Sequence, residues 1–463
     1  MKKHNLFKVI MITMLVLLVA TWIFPITYFS SALAEEEIVR AGAFDILGYL
    51  LITLQVFGNV AIYVLVVGGF YGVLHKISAY RNMLDSIVVK FKDMEDIFLG
   101  AVMVLLAIMS SMAGLSLALL FIFPLLISII LLMGYNKITA AMTTVGAVTI
   151  GLMGTVFSSS NIIGLTVAAD SEILTKIALL VIGLVLLIFN VLNYAKKNKI
   201  EKQEEGSYVP AKSENKGKVW PLVVIIDLIL LVMILAFISW DLLKVNIFTE
   251  AYNNVYSFKV FGFELFGSLL GDKSSINAFG AWSLRELVTV IVMASGLIAF
   301  IYKVKFNDFL KNFIDGAKRA IKPAVIVVLL YTILVISVYH PVLLTVLKPL
   351  IGLTDGLNVI VMTVVGFITS VFSVEFRFFA GADMHILPYV LSLYSNANDI
   401  TLVSIIWQAV YGFTMLFAPT SVILMATLSY LHIPYGKWMK AIYKLVLELL
   451  AVLLIVFLVL TFI

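Results

Sequence analysis

Two short runs in this sequence place hydroxyl and amide side chains inside stretches apolar enough to cross a membrane. The first is Gly154-Thr155-Val156-Phe157-Ser158-Ser159-Ser160-Asn161, and the second is Gly412-Phe413-Thr414-Met415-Leu416-Phe417-Ala418-Pro419-Thr420-Ser421. Pro419 has no N–H and its ring clashes with the preceding turn, while Ser158, Ser159, Ser160 and Asn161 offer the backbone rival hydrogen bonds, so both runs are expected to interrupt a helix. An interrupted helix leaves N–H groups and a positive dipole end at mid-membrane, which suits a carboxylate, and frees carbonyls and hydroxyls, which suit Na⁺. Ser158, Ser159, Ser160, Asn161, Thr414, Pro419, Thr420 and Ser421 are therefore expected to line a solute site, with a coupling Na⁺ near Asn161 and Thr420 unless the coupling ion is H⁺. The plainer alternative for either run alone is a hydroxyl bonded to the carbonyl four residues back, with Pro419 a simple kink. The matching positions of the two runs in the chain favour the site.

A third stretch, Ser373-Val374-Glu375-Phe376-Arg377-Phe378-Phe379-Ala380-Gly381-Ala382-Asp383, carries charge at membrane depth, where ionisable residues are expensive and default to a functional reading. Glu375 and Arg377 either face the solute or pair with each other at a solvated rim. The corresponding earlier stretch offers only Ser110, Ser111 and Gly114. With Ser373, these are the expected tips of two re-entrant hairpins. Asp170, just beyond the first break, is a possible cation ligand; Asp227 reads as a contact to a neighbouring helix or the interface, and His340 and His432 as helix-end residues. The chain has no cysteine and five scattered histidines, and it shows no HExxH, Walker A loop or GxGxxG. ATP-driven pumping, zinc chemistry and a bound cofactor have no visible equipment, and no enzyme activity is expected.

The elements that must position these residues are membrane helices. Of 463 residues, 62% are hydrophobic and 13% charged, against about 45–50% and about 25% in soluble domains. Long apolar segments beginning near Leu6, Ile46, Lys137, Ile173, Val219, Leu284, Pro323, Thr401 and Ala441 predict about nine transmembrane helices. The first resembles a secretory signal but is long enough to span and is read as retained. Residues 96–133 and 355–393 are broken by small and polar residues and are read as re-entrant hairpins. Basic loops at 76–95, 196–218, 303–322 and 436–444 place those segments and the N-terminus in the cytoplasm of a bacterial cytoplasmic membrane. The net charge of +5, carried at helix ends, argues for lipid as a partner and against nucleic acid.

The polar linker 196–218 divides the chain into a first repeat, 1–195, with hairpin 96–133 and broken helix 138–172, and a second, 219–463, with hairpin 355–393 and broken helix 401–432. Two spans precede the hairpin in the first and three in the second, so one unit is upside down relative to the other. The expected class is an all-α polytopic membrane protein built of two inverted repeats, a common plan of secondary transporters.

The run from Gly412 to Ser421, followed by Ile433-Pro434-Tyr435-Gly436-Lys437-Trp438, resembles the anaerobic four-carbon dicarboxylate carrier family and its basic amino acid antiporter branch. Thr21-Trp22-Ile23-Phe24-Pro25, Gly68-Gly69-Phe70-Tyr71-Gly72-Val73-Leu74 and Asp315-Gly316-Ala317-Lys318 agree. The resemblance implies the ion-transporter superfamily fold, with scaffold and transport domains, two hairpins and a homodimer. The chain departs from the family at both hairpins, at Ser111-Met112-Ala113-Gly114-Leu115 and Val374 to Phe379, and carries Met415 where Asn is usual. The expected function is secondary active transport, as symporter or antiporter, of a small carboxylate-bearing solute. The first choice is an amino acid of the arginine or ornithine type, favoured by Glu375; the alternative is a four-carbon dicarboxylate; a passive channel and a non-transporting scaffold are the remaining rivals.

Overall fold

In hydrocarbon a chain must satisfy its backbone groups internally, and apolar runs of this length do so by coiling. The computed structural model describes residues 5–24, 27–29, 36–38, 40–113, 116–155, 170–200, 208–210, 217–270, 276–353, 356–374 and 383–462. The first half consists of α1 (Asn5–Ile23), a small antiparallel pair β1 (Thr27–Phe29) and β2 (Glu36–Ile38), α2 (Ala43–Leu74), α3 (Ser78–Lys90), α4 (Glu95–Ala113), a 3-10 turn at Ala118–Phe121, α5 (Phe123–Leu132), α6 (Lys137–Ala141), a π-helical turn at Met142–Gly146, α7 (Ala147–Met153) and α8 (Asp170–Lys197). The second half continues with α9 (Trp220–Phe237), α10 (Ile247–Ser257), a second strand pair β3 (Lys259–Val260) and β4 (Phe263–Glu264), α11 (Leu265–Leu270), α12 (Leu284–Ile301), α13 (Phe306–Tyr339), α14 (Val342–Ile351), α15 (Val359–Phe372), α16 (Asp383–Ser392), α17 (Ala397–Met415), α18 (Val422–Leu431) and α19 (Tyr435–Leu460).

Among the described residues eight helices are long and apolar enough to cross a membrane. Seven of them, α1, α2, α8, α9, α12, α13 and α19, coincide with expected spans. The eighth is α4, the first arm of the segment expected as a hairpin. Ser110 and Ser111 do not break it, because their hydroxyls bond to carbonyls of another helix rather than to their own. The two remaining expected spans are the interrupted ones, and each is built as shorter pieces: α6, the π turn and α7 in the first half, α17 and α18 in the second. The chain is an all-α polytopic membrane protein.

Contacts at the linker fix the faces. Lys199 pairs with Glu95 at the start of α4, and the Ile200 N–H donates to the Gly134 carbonyl just beyond α5. Residues 95–134 therefore leave and return to one face, here called the linker face. The turn at the far end of this excursion is irregular, and its carbonyls are satisfied by α2: Tyr63 Oη donates to Ala118 O at 2.6 Å and Tyr71 Oη to Phe121 O at 2.8 Å. In the second half α14 and α16 pack together at the opposite face, where Lys348 lies over the Tyr389 ring. The two excursions enter from opposite faces.

The deepest helix packing is between α2 and α13, which run antiparallel. A Cβ on Gly68 would stand 2.6 Å from Ala320 Cβ, and one on Gly72 would stand 2.6 Å from Gly316 Cα. This is close backbone approach through small residues, the usual way of gaining dispersion contact where no hydrophobic drive exists between helices. At 34 residues α13 is about 50 Å long, against about 30 Å of hydrocarbon, so its Lys-rich first turns project beyond the apolar layer. The outward faces of α2, α8, α9, α12 and α19 stay apolar and exposed, as at Leu51, Val185, Leu228, Met293 and Ile455. Lipid is the solvent that suits them.

Candidate solute site at the crossing of two interrupted helices

The same contact set recurs in the two halves. In the first, α7 packs on α4 and α8; in the second, α17 packs on α15 and α19; and the sets join where α7 meets α17 and α8 meets α19. Glycines make the crossing possible. A Cβ on Gly412 would lie 2.6 Å from Leu152 C and Met153 Cα, and one on Gly151 would lie 2.6 Å from Ser110 Cβ. Gln408 of α17 ties the two interrupted helices directly, its Nε2 donating to Leu152 O at 2.7 Å, while its Oε1 is buried without a partner.

Each break is tied to a neighbouring helix by a hydroxyl. Ser111 Oγ donates to Gly154 O, the last carbonyl of the first interrupted helix, at 2.6 Å, and Ser110 Oγ donates to Val148 O at 2.8 Å. In the second half Thr420 Oγ1 donates to Val371 O, near the end of α15, at 2.5 Å. Ser421 caps α18, its Oγ accepting from the Leu424 N–H at 3.4 Å. Thr414 is buried with its Oγ1 unpartnered, as is Ser370 Oγ, whereas Ser373 Oγ bonds back to Thr369 O at 3.0 Å. The plain back-bonding alternative holds for Thr155, which donates to Leu152 O at 3.1 Å. Thr420 and Thr414 do not follow it.

Pro419 separates α17 from α18 as expected, but not every carbonyl freed there is open to an ion. Tyr435 Oη donates to Phe417 O at 2.5 Å and Trp438 Nε1 to Leu416 O at 3.1 Å. The motif Ile433 to Trp438 is thus the cap of the second break. Met415, standing where the resemblance expects Asn, is packed with Leu152, Tyr411 and Ala418 in a small apolar cluster.

Several expected site residues, namely Ser158, Ser159, Ser160, Asn161, Glu375, Arg377 and the tip residue Gly114, lie outside the described residues. Asp227 is on the exposed face of α9, away from the breaks. His340 and His432 stand at helix ends, closing α13 and α18, the latter in the left-handed region with φ 57°. No group of three metal-ligating His, Asp or Glu side chains occurs among the described residues.

One feature of the site was missed in the sequence. Glu172 and Lys176, in the first turns of α8, form an ion pair of 2.5 Å with side chains 2% and 3% exposed. A Cβ on Gly154 would lie 2.7 Å from the Lys176 carbonyl, so the pair sits beside the end of α7. Glu172 Oε2 is buried and has no partner among the described residues. Two charges one helical turn apart at the start of an apolar run look like an interfacial pair in the sequence; only the packing of α8 against α4 and α7 shows them buried.

No curated protein matches the chain. Among solved structures it is similar to the crystal structure of the YdaH transporter of Alcanivorax borkumensis, at 13% identity over 99% of this chain and 97% of that one, with a TM-score of 0.41. The family model of the C4-dicarboxylate anaerobic carriers, DcuC, matches residues 4–463. A match of that extent settles the family: the chain belongs to the C4-dicarboxylate anaerobic carriers.

Proposed function

We propose that the protein is a secondary carrier of four-carbon dicarboxylates, with its solute site at the crossing of α7 and α17. The observation that carries this reading is the Glu172–Lys176 pair beside the first break. A lysine buried in the membrane is expensive and needs a partner, and here the partner's second oxygen is left without a donor. A solute carboxylate can take the place of Glu172 on the Lys176 ammonium, which exchanges one buried ion pair for another. Thr414 Oγ1 and Gln408 Oε1, buried and unpartnered, supply further polar contacts at the same crossing. Membership of the dicarboxylate family supports the dicarboxylate over the arginine-type amino acid favoured from Glu375. The recurrence of α4–α7–α8 contacts as α15–α17–α19 supports the two-repeat division at the linker, and the basic residues gathered on the linker face support its placement in the cytoplasm of a bacterium.

The test is uptake of labelled succinate and labelled arginine into liposomes holding the purified protein. Succinate is expected to be taken up saturably and arginine not. Lys176→Met is expected to lower succinate uptake about 10- to 100-fold, from about 1.5–3 kcal/mol for a hydrogen bond to a charged group. The double variant Glu172→Gln/Lys176→Met leaves no buried charge and should melt near wild type while remaining inactive. Succinate uptake by that double variant at the wild-type rate would remove the pair from the mechanism, and arginine uptake without succinate uptake would reverse the substrate assignment.

A further inference from the structure

A cavity of about 230 Å³ lies apart from the helix crossing, walled by α2 and α13 on one side and by α5 and α18 on the other. Tyr208 of the linker forms part of its wall, and the segment 208–210 is tied to the surrounding helices. Tyr208 Oη donates to Tyr430 O at 2.9 Å, Ser128 Oγ donates to Tyr208 O at 2.7 Å, and Arg81 Nη1 donates to Pro210 O at 2.8 Å. Phe123, Ile127 and Ala426 make much of the wall apolar. Of the polar groups on it, Tyr71 Oη, Tyr208 Oη and His432 Nδ1 are bonded to backbone carbonyls, and two others are not. Thr427, 2% exposed, and His75 both line the cavity, and Thr427 Oγ1 and His75 Nε2 are buried without partners. Arg319 lines the cavity and makes no ion pair among the described residues, and the lining contains no Asp or Glu.

These groups describe an anion site. His75 stays neutral near pH 7, its imidazole pushed down to about 4 by burial and then by Arg319 and Lys76, and Arg319 is the permanent positive charge on the lining. A buried hydroxyl and a buried ring nitrogen left without partners are costly. A carboxylate accepts from both, and it meets the Arg fork in the geometry that fork favours. The apolar remainder of the cavity suits a short carbon skeleton.

We propose that this cavity is a second carboxylate site, on the linker side of the helix crossing, for a short-chain carboxylate. The proposal rests on the reading of the chain as a carboxylate carrier. Thr427 lies seven residues beyond Thr420, about 10 Å along α18. Tyr208, a residue of the linker, is on the cavity wall. A lipid or fatty-acid carboxylate shares the head-group chemistry, but the limited volume favours the small, water-soluble source.

The absence of cysteine from the chain allows a direct test on the full-length protein in nanodiscs. Thr427→Cys is labelled with neutral methyl methanethiosulfonate and the rate is read by mass. Succinate at about 100 times its Kd is expected to slow labelling about 100-fold, because only the unoccupied fraction reacts. Adding Arg319→Gln should abolish the protection, while protection of Met415→Cys, in the apolar cluster at the crossing, persists in the same background. Ala426→Cys, on the same wall, replaces Thr427→Cys if the latter does not fold. Protection unchanged by Arg319→Gln, or protection by oleate and not by succinate, overturns the proposal. Loss of protection at Thr427→Cys alone overturns the second site and leaves succinate uptake and the crossing intact, whereas loss at Met415→Cys with no uptake strikes the carrier reading itself.

Discussion

His75 connects a single side chain to the stability of the whole fold. Its ring is stacked on Tyr80 with centroids 5.7 Å apart, and burial, then Arg319, then Lys76 push its pKa from 6.5 to about 4. The unfolded chain takes up a proton below pH 6.5 that the folded chain refuses until about 4, so the unfolded state binds more protons in that window and stability falls as pH falls through it. The loss is at most about 3 kcal/mol, at 1.36 kcal/mol per unit. Melting temperature is expected to drop from pH 7 to pH 4, and His75→Asn is expected to flatten that part of the drop; equal slopes in both proteins would assign the acid sensitivity elsewhere. At this scale the sequence was read unevenly. Pro419 and Thr420 announce a break because a missing donor and a hydroxyl are local facts. Lys176 announces nothing, because its burial depends on α7 and α4, which are distant in the chain.

At the scale of elements, the motifs that carried the family resemblance turn out to be packing devices. Gly68, Gly72 and Gly316 form the seam of α2 and α13, and Tyr435 and Trp438 cap the second interrupted helix. Their spacing was legible, but their partners were not, since a small-residue stripe shows that something approaches closely without saying what. The polarity of Ser110 and Ser111 predicts a hairpin tip; in the structure they sit inside α4 and hold the end of α7 by its carbonyls. The seam gives a clear expectation. A side chain on Gly316 meets the backbone of Gly72 at 2.9 Å or closer, and backbone on a paired helix cannot step aside as a side-chain tip can. Overpacking costs about 1–3 kcal/mol even in adaptable cores. Gly316→Leu is therefore expected to lower the melting temperature or abolish a monodisperse preparation. Gly296→Leu, at a site where nothing lies within 4 Å, is the control and should behave as wild type. If the two variants melt alike, the α2–α13 seam is not where the fold is held.

For the whole molecule, the contacts separate into two bodies. α2, α12 and α13 pack on one another, with α9 beside α12. α4, α7, α8, α15, α17 and α19 form the other, centred on the crossing of the interrupted helices. Between them, α13 packs against α18, and the two helices also face each other across the linker-side cavity. A carrier built of inverted halves changes access by moving one body against the other around the solute site. That motion must alter the α13–α18 relation while leaving contacts inside each body unchanged. α8 and α19 belong to the same body, with a Cβ on Gly183 standing 3.8 Å from Leu449 Cδ2. Two tethers therefore separate this mechanism from a fixed pore. Ala320→Cys with Ala426→Cys, bridged across the cavity by a bifunctional thiol reagent, should stop succinate uptake, and reduction of a cleavable bridge should restore it. Gly183→Cys with Leu449→Cys, bridged in the same way, should leave uptake near the level of the unbridged double variant. Uptake that continues with the α13–α18 bridge closed would show that solute crosses without relative motion of the two bodies, and would favour a channel through the crossing over a carrier.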